Sequence, residues 1–362
     1  MSGRAELRAL TSARGVAAWW VVLYHLRGAL ADLPAAAQAL VAKGYLAVDF
    51  FFLLSGFVLA FGYGERLHGG GRPAILDFLR RRIARIWPLH AAMLGVALLL
   101  ALLLRTTGHA TQQFPMAELP AHLLLVQAWG FTNPLCWNDP AWSISCELMA
   151  YLLFPLWVVT IDWRRRRAVT LIAILAALFA LLHGVFVLRG ATELGQDLQN
   201  VGLIRCVLEF TAGAMLYALW NRQRAERPGH NALAIAAMLA AAWAAGMPET
   251  AVAPALLAAI LWALATASGQ RGNALEGALL HRLGEISYAT YLSHFLLWFA
   301  FKLAFVRTAT IGWPLAALYL VLVLAASVAL HRWVERPAQR WINALGFRPG
   351  RSRLPTRRSP RG

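Results

Sequence analysis

Charged residues are scarce in this chain. Asp, Glu, Lys and Arg make up 14% of its 362 residues, against about a quarter in a soluble domain. Acidic residues are the rarer sign, 17 against 34 basic ones. Cysteine is nearly absent. Cys136, Cys146 and Cys206 have no metal-type spacing and suggest no disulfide framework, which argues against a zinc module or a stapled secreted domain. No internal repeat and no appended soluble domain can be read. A cleaved leader is not expected either. The first apolar run is long, and Ala29-Leu30-Ala31 is a weak cleavage site whose use would discard Arg14 and His25. The net charge of +17 does not imply a nucleic-acid partner, because arginine excess in cytosolic loops is the ordinary topology signal of inner-membrane proteins.

Apolar residues fill the space that charge leaves. They account for 59% of the chain, and mean hydropathy is +0.56. The expected fold is all-α, a polytopic membrane protein with about ten spans near bilayer length. These are 9–31, 45–63, 86–104, 141–161, 168–188, 201–220, 231–246, 251–268, 284–305 and 312–332. The stretch 119–130 is too short to span and reads as a re-entrant or interfacial helix. With both termini cytosolic, the inner loops collect Arg66, Arg72, Arg80 to Arg82, Arg85, Arg164 to Arg167, Arg222, Arg224, Arg227, Arg271 and Arg282. The outer loops hold few cations, as the positive-inside rule requires. Trp129, Trp137, Trp142 and Trp313 then fall at the outer interface, and Trp87, Trp163, Trp220 and Trp333 at the inner one. Residues 1–345 form one transmembrane domain. Residues 346–362 are a basic tail expected to be disordered and to meet anionic lipid.

Ionisable residues inside these spans mark candidate chemistry, because hydrocarbon excludes them unless they have a use. In the first span, LTSARGVAAWWVVLYHLRGAL, Arg14 and His25 are eleven positions apart. That is about three turns, so both lie on one face, about 16 Å apart along the axis. Asp49 enters the second span from outside, and Ser55-Gly56 follows where small residues allow close packing. Ser143, Glu147 and Tyr151 recur every four residues on one face of the fourth span. His25, Asp49 and Glu147 are thus expected to share an outer layer, in which a carboxylate fixes the imidazole tautomer and raises its basicity. An inner layer holds Arg14, Arg82, Arg85, Glu335 and Arg336, and arginine forks of this kind hold phosphates.

Tyr288, Tyr291 and His294 follow one face of the ninth span. Together with Asp49, Ser143, Tyr151 and Glu335 they are expected to line a path between the layers. The plainer readings are topogenic arginines, a structural ion cluster and ordinary core aromatics. Glu209 and Glu285 have no assigned role, and no metal site is expected. Such a pair of layers suits an enzyme with an anionic cytosolic donor and an external acceptor. Acyl-CoA fits as a co-substrate that is not tightly bound. Its phosphates would meet the arginines, and its pantetheine arm would carry the thioester towards His25.

Six blocks in this order resemble the integral-membrane acyltransferase family 3, whose members O-acylate sugars of lipopolysaccharide, exopolysaccharide, Nod factors and antibiotics. The arginine-ten-histidine motif matches at Arg14 and His25. LAVDFFFLLSGF resembles the GVDxFFxLSGF block, with Ala47 in place of glycine. The FxxRRxxRIxP block matches at Phe78, Arg81, Arg82, Arg85, Ile86 and Pro88, and WSLSxExxxYLxxP at Trp142, Ser143, Ser145, Glu147, Tyr151 and Pro155. ISYxxYLxHF matches from Ile286 to Phe295, and the closing ExP at Glu335 and Pro337. The resemblance covers about residues 6–340. It implies a bacterial inner-membrane, multi-pass O-acyltransferase without the extracytoplasmic hydrolase-like domain of some relatives. His25 would be general base or transient acyl carrier. Arg14 would position the donor, Arg82 and Arg85 would bind acyl-CoA, and Glu147 would orient His25 or relay protons. Acetyl-CoA is the default donor, and a glycan or lipid-linked sugar the acceptor. A secondary transporter of an anionic or sugar substrate is the alternative. The inverted repeats and matching Gly/Pro-broken helices such proteins carry are not found.

Overall fold

The computed structural model describes residues 7–30, 33–223, 230–270 and 272–345. The basic tail 346–362, Asp32 and the loop arginines Arg224, Arg227 and Arg271 lie outside the described residues. Twelve helices follow one another among the described residues: α1 (Arg8–Leu26), α2 (Ala35–Ala42), α3 (Leu46–Thr106), α4 (Leu119–Leu123), α5 (Ala141–Thr160), α6 (Ala168–Leu188), α7 (Leu198–Gln223), α8 (His230–Ala244), α9 (Glu249–Ala267), α10 (Ala278–Phe305), α11 (Trp313–Leu330) and α12 (Arg336–Ala344). No strand is present among them. Leu30 and Ile311 make one isolated parallel bridge. This is an all-α membrane protein. Six helices are long and apolar enough to cross a bilayer, α3, α5, α6, α7, α9 and the run Trp313–Ala344. All ten stretches expected to span are helical. Helices α1 and α10 are not among the six, and α8 is shorter.

Three expectations are corrected. The second and third spans are not separated by a loop. Helix α3 runs through both for 61 residues and breaks only at Gly71, whose φ of 59° and ψ of −159° fit glycine rather than an L side chain. The stretch 119–130 is helical only over Leu119–Leu123 and is followed by turns. It docks on α3: Trp87 Nε1 donates to Leu123 O at 3.0 Å and His90 Nε2 to His122 O at 2.7 Å. Trp137, Trp142 and Trp220 are buried core side chains rather than interfacial anchors, because tertiary packing captures their rings.

Helix–helix association in lipid rests on close packing rather than on hydrophobic burial. Two glycine crossings set this bundle. At Gly284 of α10 an added Cβ would sit 1.9 Å from Thr11 O of α1, and at Gly15 of α1 it would sit 2.6 Å from Gly284 N. At Gly56 of α3 it would meet Phe210 O of α7 at 1.9 Å, and at Gly213 of α7 it would meet Leu53 O at the same distance. Backbone faces backbone at both crossings. Gly284→Leu is expected to push α1 from α10 and cost about 1–3 kcal/mol or more, read as a lower melting temperature in detergent. Gly62→Leu, with nothing within 4 Å of the new Cβ, is expected to leave it unchanged.

A polar clasp ties the turn before α3 to the loop before α7 and the start of α9. Lys43 Nζ donates to Glu249 at 2.6 Å and to Glu193 at 2.9 Å, and Tyr45 Oη donates to Glu249 at 2.6 Å. Burial alone would lower the Lys43 pKa. The hydrogen bonds to Glu249 and Glu193 outweigh it and hold the ammonium above its ordinary range.

Candidate active site

Helices α1, α3, α5 and α10 enclose a cavity of about 380 Å³. Arg14 faces it from α1, Ser55, Arg82 and Arg85 from α3, Ser143, Glu147 and Tyr151 from α5, and Ser287, Tyr288 and Tyr291 from α10. The four-residue recurrence on α5 thus does place its three polar side chains on one wall.

The cationic end of the cavity is held by α10 and by the chain's C-terminal turn. Arg14 Nε donates to Ser287 Oγ at 2.9 Å, and its Nη2 to Gly284 O at 2.8 Å. The glycine that lets α1 approach therefore also presents the carbonyl that anchors Arg14. Arg85 is ion-paired with Glu335, and its guanidinium lies over the Tyr288 ring at 5.3 Å. Glu335 is buried and reaches Arg85 from a π-helical turn, His331–Glu335, between α11 and α12; such turns recur at functional sites. Glu335 also meets His331 Nδ1 at 3.1 Å. Arg82 Nη2 donates to Tyr63 Oη at 3.1 Å, and its guanidinium lies over that ring at 5.1 Å. Arg82 Nε is buried with no partner among the described residues. On the opposite wall Glu147 accepts a 2.5 Å hydrogen bond from Ser55 Oγ. Arg14, Arg85, Glu335 and Glu147 are close enough for their charges to act on one another.

Beyond Tyr291 stands a pair of histidines. Tyr291 Oη and Ser143 Oγ are 2.7 Å apart, and Ser143 Oγ also donates to Pro140 O at 3.0 Å. Since Ser143 donates elsewhere, the tyrosine is the donor between them. Three residues further along α10 is His294, whose Nε2 is 3.2 Å from His25 Nδ1. Each ring has its Nδ1 against the carbonyl one turn back, Val21 O at 3.0 Å for His25 and Thr290 O at 3.2 Å for His294. A nitrogen facing a carbonyl carries the proton. Both rings are therefore assigned the Nδ1–H tautomer. His294 Nε2 accepts from His25, and the His25 lone pair lies on Nε2. That is the arrangement a general base needs. His25 is half-buried and His294 fully buried, with Tyr319 Oη donating to His294 O at 3.0 Å.

The expected outer layer of His25, Asp49 and Glu147 is not formed. His25 pairs with His294, and Glu147 with Ser55. Asp49 is fully buried and pairs with Arg205 of α7, whose Nε and Nη2 donate to its two oxygens at 2.6 and 2.5 Å. A bidentate guanidinium fork outcompetes a more distant imidazole for a buried carboxylate. Asp49, His294 and Glu335 consequently do not line the cavity, whereas Ser143, Tyr151, Tyr288 and Tyr291 do. His25 is not on its wall either, and Tyr291 is the link between cavity and histidine pair. Arg205 and Ser287 have no place in the sequence reading. Arg205 is nevertheless an arginine within an apolar helix, one turn before Glu209, and that oddity could have flagged it. Glu209 is buried beside the Asp49–Arg205 pair. Among the described residues no set of three His, Cys, Asp or Glu side chains is placed to hold a metal.

Comparison with known proteins adds an independent finding. The model of the acyltransferase domain of family 3 matches residues 7–332. The chain is 31% identical over 332 residues to a protein named acyltransferase MdmB from Streptomyces mycarofaciens, covering 83% of this chain and 82% of that one. It is 33% identical over 162 residues to protein 2 in the picA locus of Rhizobium radiobacter, covering 41% of this chain and 80% of that protein. No solved structure matches.

Proposed function

Because the chain belongs to acyltransferase family 3, matched over residues 7–332, we propose that this membrane acyltransferase moves an acyl group, acetyl by default, from cytosolic acyl-CoA to a hydroxyl of a cell-surface or exported glycan. The observation that supports this reading best is the succession of groups from cavity to histidine pair. Arg14, Arg82 and Arg85 lie on the cavity wall, and His25 is reached past Tyr291 with its lone pair on Nε2. Family membership favours this reading over the transporter. In this reading the protein sits in a bacterial inner membrane with ten spans and both termini cytosolic, a topology that the distribution of arginines supports.

In this account the anionic nucleotide of the donor takes the arginine end. Arg82 has a buried Nε without a partner to offer it, and Arg85 can exchange part of its pairing with Glu335 for a phosphate. Arg14 is held rigidly by Ser287 and Gly284 and positions the donor without reorganising. The thioester extends past Tyr291 to His25. His25 Nε2 removes the acceptor hydroxyl proton as that oxygen attacks the thioester carbonyl. The C–O bond forms, the C–S bond breaks, and the CoA thiolate leaves and recovers the proton from His25. His294 keeps the His25 ring in the required tautomer. Glu147, held by Ser55 on the cavity wall, balances the charge of Arg14 rather than facing the reacting carbonyl.

Release of free CoA thiol by the purified protein, given acetyl-CoA and a glycan acceptor, tests the reaction class. Removing both cavity arginines on α3, by Arg82→Ala with Arg85→Ala, is expected to raise KM for acyl-CoA by about a hundredfold or more, at about 1.5–3 kcal/mol for each of the two charged hydrogen bonds. KM for the acceptor should not change. An unaltered acyl-CoA KM would make these arginines topogenic only.

A further inference from the structure

A second cavity, of about 900 Å³, lies between α6, α7, α8 and α9. It shares no wall with the first. Helix α7 stands between the two regions, with Phe210 and Gly213 packed on α3 and Leu216, Leu219 and Trp220 facing the second cavity. On α9 its wall runs from Ala251 to Thr266, about 22 Å at the helical rise. Ala251, Ala255, Ala258 and Ala259 make a low floor, and Phe179 of α6 and Ile235 of α8 stand beside it. Polar groups occur only at the two ends. His183 marks one, its Nδ1 2.8 Å from Thr250 Oγ1. Asn231, Thr266 and Ser268 mark the other.

This second end carries an arginine rim. Arg165, Arg166 and Arg167 are exposed just before α6. Arg222, near the end of α7, donates to Arg166 O. Trp163 packs in one cluster with Leu171, Leu219 and Trp262, which joins the rim to the wall of the slot. Arg165 is engaged by Asp162 at 3.1 Å, and the exposed Arg166 and Arg167 form the cationic face.

Between its polar ends the space is apolar, and it spans a height that an extended fatty-acyl chain covers. A rim of arginines at one end matches an anionic headgroup and leaves a zwitterionic one without net attraction. We propose that the slot between α6 and α9 binds one anionic phospholipid, with an acyl chain on the alanine floor of α9 and its phosphate at Arg166 and Arg167. The site is independent of the acyl-transfer reading and is tested without it.

Native mass spectrometry of the purified full chain reads the occupancy directly. The probes are phosphatidylglycerol, phosphatidylcholine with the same chains, and glycerol phosphate. Phosphatidylglycerol is expected to bind about tenfold more tightly than phosphatidylcholine, and glycerol phosphate not at all. Arg166→Gln with Arg167→Gln, at exposed positions that do not threaten folding, should bring phosphatidylglycerol down to the level of phosphatidylcholine. Ala258→Phe, which fills the floor, should reduce both lipids while the melting temperature holds. Equal binding of the two lipids, an unchanged arginine variant, or glycerol phosphate binding as well as the lipid would each overturn the proposal.

Discussion

Replacing His25 by alanine is expected to lower acyl transfer by about two to four orders of magnitude, the range a positioned general base contributes. The variant should still insert and melt like the wild type. His25 is half-buried on α1, and its ring is held by hydrogen bonds to Val21 O and His294 rather than bracing a helix crossing. That crossing is made nearly three turns away, by Gly15 and Gly284. Losing the imidazole thus removes the base and leaves the packing. His294→Ala is expected to lower kcat with little change in KM for acyl-CoA, because His294 acts through the tautomer and orientation of His25. The pair of variants is read by steady-state thiol release beside a thermal melt. Activity near wild type in His25→Ala would remove the base from the mechanism.

The second large effect is structural. Asp49→Ala is expected to destabilise the protein by about 3–5 kcal/mol, because it leaves the Arg205 guanidinium buried without its counter-charge. Both side chains are fully or almost fully inaccessible, and both donor atoms of the fork are used on Asp49. Arg205 also donates to Leu194 O at 2.8 Å, so the loss reaches the loop ahead of α7. Replacing the pair together, Asp49→Leu with Arg205→Met, should recover much of the loss, since removing both charges costs less than stranding one. Melting by tryptophan fluorescence in detergent separates the two cases. A double variant no better than the single one would mean that the pair has a role beyond mutual neutralisation. Asp49→Ala should lose activity by losing fold, whereas His25→Ala loses activity alone.

Local signals carried the reading of this chain a certain distance. The apolar stretches become helices, because twenty or so apolar residues without a partner sheet can satisfy their backbone in no other way in lipid. The face shared by Ser143, Glu147 and Tyr151 was readable for the same reason: 3.6-residue geometry is local. Arg14, Arg82, Arg85 and Glu147 do meet at one cavity. Partner choice was not readable. Asp49 finds Arg205, Arg85 finds Glu335 and His25 finds His294, contacts closed by helix packing across long separations in the sequence. Hydropathy also cannot tell a tryptophan at an interface from one in the core, and Trp137 and Trp220 took the second fate. The residues between the second and third spans read as an inner loop. They instead continue one helix, in which only Gly71 leaves helical geometry.

The slot between α6 and α9 had no sequence counterpart. Alanines on α9 look like ordinary helix formers until neighbouring helices leave the space above them unfilled. The lipid reading therefore rests on tertiary arrangement, and in it the arginine run before α6 acquires a use beyond topology.

Sidedness is the central claim, and labelled acetyl transfer tests it most directly. Radiolabelled acetyl-CoA is supplied to inverted membrane vesicles, whose cytosolic face is outward, carrying either the wild type or His25→Ala. Glycans and lipids are then extracted and counted. The account predicts label in the glycan fraction with the wild type only, and none when the same acetyl-CoA is given to right-side-out vesicles. Equal label with His25→Ala, or label that enters only from the extracytoplasmic side, would contradict it.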